Sequence, residues 1–325
     1  MTLIEASDHE DIYVPHAFAE HLVDLGEVRL NYAVAGDADK PALLLIPGQS
    51  ESWWGYEEAM KLLSDRYQLF AVDLRGQGRS TWTPGRYTLD NIAGDLVRFL
   101  DVVVGRPAFV SGLSSGGVLA TWLAAYAKPG QVLGVIIEDA PLFASETNPA
   151  IGQSFWQAIG PLIALQARRL GDQWSIGDVA GLNAAFAKEL PAALLRIASK
   201  MRAGQPHMTS VGVPQNILEY DPEWGRSFAS GLVAAGCDHL IMVQQVKVPA
   251  LYTHHFREID EETGRLLGAV SDLQVAAVGR AIEAAGNSFT YRSFPDMPHS
   301  MHGADPALYA SVVDEWLGGF AANFS

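Results

Sequence analysis

The chain has 325 residues, 49% of them hydrophobic, enough to build one large α/β domain or a core domain with an insertion. Its formal charge of -15 repels polyanions, so neither nucleic acid nor an anionic membrane surface is an expected partner. The single cysteine, Cys237, excludes an intramolecular disulfide, and no Cys/His cluster has zinc spacing, so no metal and no other cofactor is predicted.

Residues 1–20 carry no periodicity and are expected to form an arm on the surface. Met1 to Asp11 hold no basic region and no apolar segment, and no apolar run reaches membrane-spanning length; with one cysteine, this gives a cytoplasmic expectation. His21–Leu25 and Val28–Val34 alternate around Gly26-Glu27, the pattern of an antiparallel hairpin. Pro41–Ile46 is a continuous apolar run, as in a strand buried on both faces of a parallel sheet. A helix over Trp53–Arg66 and a strand over Gln68–Val72 follow. Asp73–Ser80 reads as a polar scaffold turn, since its Gly-x-Gly has no Walker lysine and no following helix. Apolar residues at helical spacing mark Leu89–Val104, and Ala108-Phe109-Val110 is the next strand. A helix from about Gly117 stops near Pro129-Gly130, and Val132–Ile137 is another buried strand.

From 142 to 245 the pattern is helical and no strand interrupts it, which predicts an inserted helical cap on a core of 21–141 and 246–325. The strand and helix rhythm resumes at Val248–Thr253, then a helix at Leu273–Ala285, a strand at Ser288–Ser293 and a last helix at Pro306–Phe320. The sum is an α/β fold with a mostly parallel eight-stranded sheet, helices on both faces and one helical insertion.

The chemistry concentrates after the fifth strand, in Gly112-x-Ser114-x-Gly116. The pattern alone is weak, but a strand before it and a helix after it make a sharp turn that pushes the Ser114 hydroxyl out at the carboxyl end of the sheet. A serine hydroxyl needs an imidazole to take its proton. Of nine histidines, only His299 and His302 follow the last core strand; His299 is chosen as the base, and His302 is left a supporting or capping role. The imidazole needs a carboxylate to fix its tautomer. Asp139 is preferred, with Asp260 and Glu138 as alternatives, and strand alternation points Glu138 and Asp139 opposite ways. Backbone N–H groups of Ser115 and Gln49 are the expected oxyanion donors.

Strand order, the Gly-x-Ser-x-Gly turn, Asp73-Leu74-Arg75-Gly76-Gln77-Gly78-x-Ser80, the insertion and the late His299 together resemble an α/β-hydrolase over nearly the whole chain. The order Ser, acid, His is the one that family uses. More narrowly, Asp11–His16, Ser52-Trp53-Trp54, Gly76–Pro84, Gly171–Trp174, Glu219–Trp224 and Thr253-His254-His255 look like bacterial zearalenone lactonases. The resemblance implies Ser114 as nucleophile, His299 as base and opening of a macrocyclic resorcylic lactone, after which the product loses carbon dioxide. It also sets Asp139 where the fungal enzymes acting on that toxin carry a glutamate. Pro47 stands where many relatives of the fold have histidine, a change that spares a backbone donor.

The expected partner is a small apolar lactone or ester, bound between core and insertion; a homo-oligomer is left open. Phe143, Phe155, Trp156, Trp174, Phe186 and Trp224 are the insertion's aromatics; most are expected in its core, and Trp174 is taken as a substrate contact. The rival readings are a small-ester esterase or carbon–carbon bond hydrolase on the same triad, and a non-catalytic receptor on the same fold. Epoxide hydrolases and haloalkane dehalogenases attack with a carboxylate, and position 114 is serine.

Overall fold

The computed structural model describes residues 16–170, 179–192, 194–196, 215–262 and 264–320. Most of the expected arm at 1–20, and Trp174, lie outside the described residues.

The central strand shows why the sheet forms. Ala42–Ile46 (β3) is buried at every residue, and its side chains alternate between two apolar cores. Leu44 and Ile46 face the helices Leu89–Phe99 (α2) and Ser115–Tyr126 (α3), while Leu43 and Leu45 face Glu57–Leu63 (α1) and the last helix, Pro306–Gly318. A strand covered on both sides reads as an unbroken apolar run, as Ala42-Leu43-Leu44-Leu45-Ile46 does.

Around β3 stand Glu20–Asp24 (β1), Arg29–Ala35 (β2), Gln68–Val72 (β4), Ala108–Leu113 (β5), Val132–Glu138 (β6), Ala250–His254 (β7) and Phe289–Ser293 (β10). Their order is β1-β2-β4-β3-β5-β6-β7-β10, antiparallel at β1-β2 and β2-β4 and parallel elsewhere. The fold is therefore the α/β-hydrolase architecture that the strand pattern suggested. Between β6 and β7 the described residues hold helices and no strand: Trp156–Leu170, Val179–Glu189, Gln215–Leu218, Pro222–Ala229 and His239–Gln244. Ile163, Leu165, Phe186, Trp224 and Phe228 join the same apolar cluster as α2 and α3, so these helices sit on that face of the core. Trp224 is fully buried, in line with the core role expected of most of the insertion's aromatics. Among the described residues no helix is long and apolar enough to cross a membrane.

Two local elements differ from the sequence reading. The helix expected over Trp53–Arg66 opens as a 3-10 turn, Trp53–Tyr56, before α1, because Trp53, Trp54 and Tyr56 are all buried and a surface α-helix turns one face outward. The stretch between Thr253 and the helix expected at Leu273–Ala285, to which the sequence assigned no element, contains a separate antiparallel ribbon, Arg257–Ile259 (β8) with Leu266–Gly268 (β9); three-residue strands leave no period to read.

The Asp73–Ser80 turn is held from within. Arg75 makes a buried two-pronged pair with Asp95, Nε to Oδ2 at 2.6 Å and Nη2 to Oδ1 at 2.8 Å. Asp73 accepts from the backbone N–H of Trp53 and Arg79 and from Asn31 Nδ2. A Cβ at Gly78, where φ is +53°, would lie 2.1 Å from the Asp73 carboxylate, so glycine is required.

Candidate active site

Ser114 joins β5 to α3 with φ 54° and ψ -121°, a backbone state that a side-chain-bearing residue rarely adopts. Small neighbours make that turn fit: a Cβ at Gly112 would meet the Gly116 carbonyl oxygen at 2.2 Å, and one at Gly116 would meet the carbonyl oxygens of Ile46 and Pro47 at 2.4 Å. The first turn of α3 is thereby pressed against the end of β3. The Ser114 hydroxyl makes no capping bond to its helix, and its N–H donates to the Glu138 carbonyl at 2.9 Å.

The neighbouring parallel strands bring the remaining groups to this end of the sheet. Leu113 pairs with Glu138, Glu138 with Thr253, and Ser293 with His254, so the residues after β5, β6, β7 and β10 emerge together. Asp139, the residue after β6, has φ 40° and is fully buried. Its Oδ2 accepts from His299 Nδ1 at 2.7 Å, and its Oδ1 accepts the His255 N–H at 3.0 Å. Burial pushes the Asp139 carboxyl up, but the His255 ring and the His299 bond outweigh it and hold the group below its ordinary value. For His299, burial favours the neutral ring, yet the hydrogen bond and charge of Asp139 prevail and raise it above the usual histidine value. Because a carboxylate only accepts, Nδ1 carries the proton, and Nε2 is left as a lone pair. That Nε2 is buried and has no hydrogen-bond partner among the described residues.

Glu138 is not a second candidate for the same histidine. Its Oε2 accepts from His302 Nδ1 at 2.8 Å, and its Oε1 accepts the N–H groups of Met301 and His302 at 2.7 and 3.1 Å. The His302 ring stacks on Tyr56 with centroids 3.8 Å apart, and the Tyr56 hydroxyl donates to the Ile46 carbonyl at 3.1 Å. This second pair fastens the residues after His299 to the ends of β6 and β3. Burial pushes Glu138 up, but the His302 charge and bonds leave it lowered; burial pushes His302 down, but Glu138 leaves it raised. A lowered acid stabilises the fold above its unfolded value and loses that as pH falls; a raised histidine stabilises below its unfolded value and loses that as pH rises. Both contributions stand together at about pH 5.5, between the ordinary glutamate and histidine values. At that pH, Glu138→Gln is expected to reduce unfolding free energy by about 3–5 kcal/mol in a denaturant titration, the scale for breaking a buried pair.

Asp260, the other alternative, pairs with Arg196 and donates its N–H to the Arg265 carbonyl beside the β8–β9 ribbon. The expected oxyanion donors lie on either side of the pressed turn. Ser115 opens α3, and Gln49 belongs to a tight turn after β3. There Gly48 N–H donates to Glu51 Oε2 at 2.9 Å, Glu51 N–H donates to Gln77 Oε1 at 3.1 Å, and Ser50 has φ 60°.

Two residues of the site escaped the sequence reading. Glu51, buried in the turn, adds negative charge to the surroundings of both His299 and His302. His255 donates from Nδ1 to the His299 carbonyl at 2.8 Å, accepts at Nε2 from Thr253 Oγ1 at 3.1 Å, and gives its N–H to Asp139, so it fixes both members of the acid and histidine pair. Its signals were its place one residue past β7 and the Thr253-His254-His255 motif, neither of which spoke for a role in the site. Among the described residues no three His, Cys, Asp or Glu side chains are grouped as metal ligands.

The sequence model of the alpha/beta hydrolase family matches residues 43–312. Over 141 residues the chain is 30% identical to 3-oxoadipate enol-lactonase 2 of Acinetobacter baylyi, covering 43% of this chain and 50% of that protein. Over 116 residues it is 30% identical to epoxide hydrolase 4 of Mus musculus, covering 35% of this chain and 32% of that protein. The matches thus span half or less of these relatives. Among solved structures, the enol-lactonase from Burkholderia xenovorans LB400 superposes with a TM-score of 0.64 at 19% identity, over 92% of this chain and all of that one (100%). E-2-(acetamidomethylene)succinate hydrolase gives 0.63 at 21% identity, over 93% and 99%. At these identities the structures speak for the fold.

Proposed function

The chain belongs to the alpha/beta hydrolase family, and from that premise we propose that it is a serine hydrolase of carboxylic esters whose substrate is a bulky apolar lactone of the zearalenone type. The observation that carries the reading is the His299 ring: Nδ1 is bound to a buried carboxylate while Nε2 is buried with no partner among the described residues, at the strand ends where Ser114 is held in a strained turn.

In this reading Ser114 Oγ attacks the ester carbonyl carbon as His299 Nε2 takes its proton. The carbonyl electron pair moves onto oxygen, which the N–H groups of Ser115 and Gln49 receive. Collapse of the intermediate breaks the bond to the alkoxide oxygen, and the imidazolium returns the proton there. In a lactone the released alcohol stays tethered to the acyl group. Water then repeats the sequence on the acyl-enzyme, freeing the carboxylic acid and restoring Ser114. Asp139 keeps its charge and holds the imidazolium. The helical segment 142–245 serves as a cap over the core of 21–141 and 246–325.

The lactone assignment draws support from the motifs that resemble those of zearalenone lactonases and from the enol-lactonase relative, whose name denotes a cyclic ester. The epoxide hydrolase relatives do not carry over, because the residue at the elbow is Ser114. Incubation with zearalenone, followed by mass spectrometry, is expected to show addition of one water and then loss of carbon dioxide. Turnover of short p-nitrophenyl esters with zearalenone untouched would instead assign a small-ester esterase.

A further inference from the structure

The segment from Gln215 to Trp224 is one place where the helical insertion reaches the loops of the core. Asn216 Nδ2 donates to the Ser50 carbonyl at 2.7 Å. Gln49 Nε2 donates to Tyr220 Oη at 3.0 Å, and Ser52 Oγ donates to Glu219 Oε2 at 2.9 Å. Behind these contacts, Asp221 N–H donates to the Gly76 carbonyl at 2.9 Å, Trp224 Nε1 donates to the Arg75 carbonyl at 3.1 Å, and the Tyr87 hydroxyl bonds Asp221. Asn216, Glu219, Tyr220 and Trp224 are all buried.

One of these bonds acts on an unusual piece of backbone and a second on the side chain next to it. Ser50 has φ 60° without being glycine, and such a conformation persists only where its surroundings over-determine it. The core holds one side of the turn through Glu51 on Gly48 and Gln77 on Glu51. The insertion holds the other, through Asn216 on the Ser50 carbonyl and Tyr220 on the Gln49 side chain. Along the chain the peptide N–H of Gln49 lies between the Gly48 N–H, held by Glu51, and the Ser50 carbonyl, held by Asn216.

We propose that Asn216 and Tyr220 are positioning residues, through which the helical insertion aims the Gln49 N–H at the developing oxyanion. This rests on the serine hydrolase reading and adds that the cap completes the catalytic turn as well as covering it. The coupling acts on the transition state, because the donor's full interaction is made only when charge has moved onto the carbonyl oxygen.

The test uses the full chain with p-nitrophenyl butyrate as substrate and phenylboronic acid as a mimic of the tetrahedral intermediate. Asn216→Ala is expected to lower kcat by about 10²-fold, the scale on which a misplacement of about 1 Å acts, with KM shifted by less than about threefold. Tyr220→Phe, which removes only the hydroxyl, is expected to lower kcat by about tenfold. In both, phenylboronic acid affinity falls by the same factor as kcat/KM. Trp224→Phe breaks a contact of the same segment without touching the turn, and is expected to lower Tm while leaving kcat and boronate affinity at the wild-type level. If Asn216→Ala and Tyr220→Phe lower only Tm, as Trp224→Phe does, the positioning role is overturned and the hydrolase reading stands. A wild-type chain that turns over neither this ester nor zearalenone and does not bind the boronate overturns both.

Discussion

Replacing Ser114 with alanine is expected to lower kcat on any ester that the wild-type chain hydrolyses by about 10⁵- to 10⁶-fold, the loss typical of removing a catalytic serine. The residual rate reflects the oxyanion donors and substrate binding, which remain in place. Stability is expected to hold or rise. The Ser114 side chain makes no capping bond, and alanine accepts the same positive φ at no greater strain than serine. A variant that loses activity and also unfolds would leave the loss explained by the turn; one that keeps turnover within about tenfold would remove Ser114 as the nucleophile.

Changing Asp139 to asparagine is expected to lower kcat by about 10⁴-fold while the overall geometry survives. An asparagine can present its amide N–H₂ to His299 Nδ1, which then becomes the acceptor, and the ring proton moves to Nε2, where the lone pair is required. The pH profile distinguishes this from simple loss of stability. The base works as the neutral ring, and Asp139 raises the pH at which that ring forms. Wild-type kcat/KM should therefore fall as pH drops through a value raised from the ordinary histidine one. In Asp139→Asn that acid limb should move to lower pH. Asp260→Asn alters a group engaged with Arg196 and should leave both kcat and the limb unchanged.

The sheet was legible because burial on both faces writes itself into sequence, as in the unbroken run of β3 and the apolar strand before Ser114. The elbow was legible because its glycines answer a steric demand, visible in the 2.2 Å and 2.4 Å approaches that a Cβ at Gly112 or Gly116 would make. The carboxylate was harder. Alternation sends Glu138 and Asp139 to opposite sides only while the strand continues, and β6 ends at Glu138. Asp139 turns at φ 40°, and the chain from His299 to His302 passes over the strand end, so each acid meets a histidine of its own. Pairing across 160 residues through a turn leaves no local pattern. His255 and Glu51 were hidden for a related reason: they act largely on main-chain groups, which carry no side-chain signature. The grip of Asn216 and Tyr220 on the Gln49–Ser50 turn is of the same kind, since it joins residues more than 160 positions apart.

The most direct measurement is labelling of the wild-type chain with a fluorophosphonate, followed by peptide mass spectrometry. A nucleophilic serine activated by His299 displaces fluoride and retains the phosphonyl group, so a single adduct is expected on the peptide containing Ser114, formed faster as pH rises through the His299 value and absent in Ser114→Ala. No adduct, or an adduct on another residue with Ser114 unmodified, would contradict the account and favour a chain that uses this fold to bind a ligand.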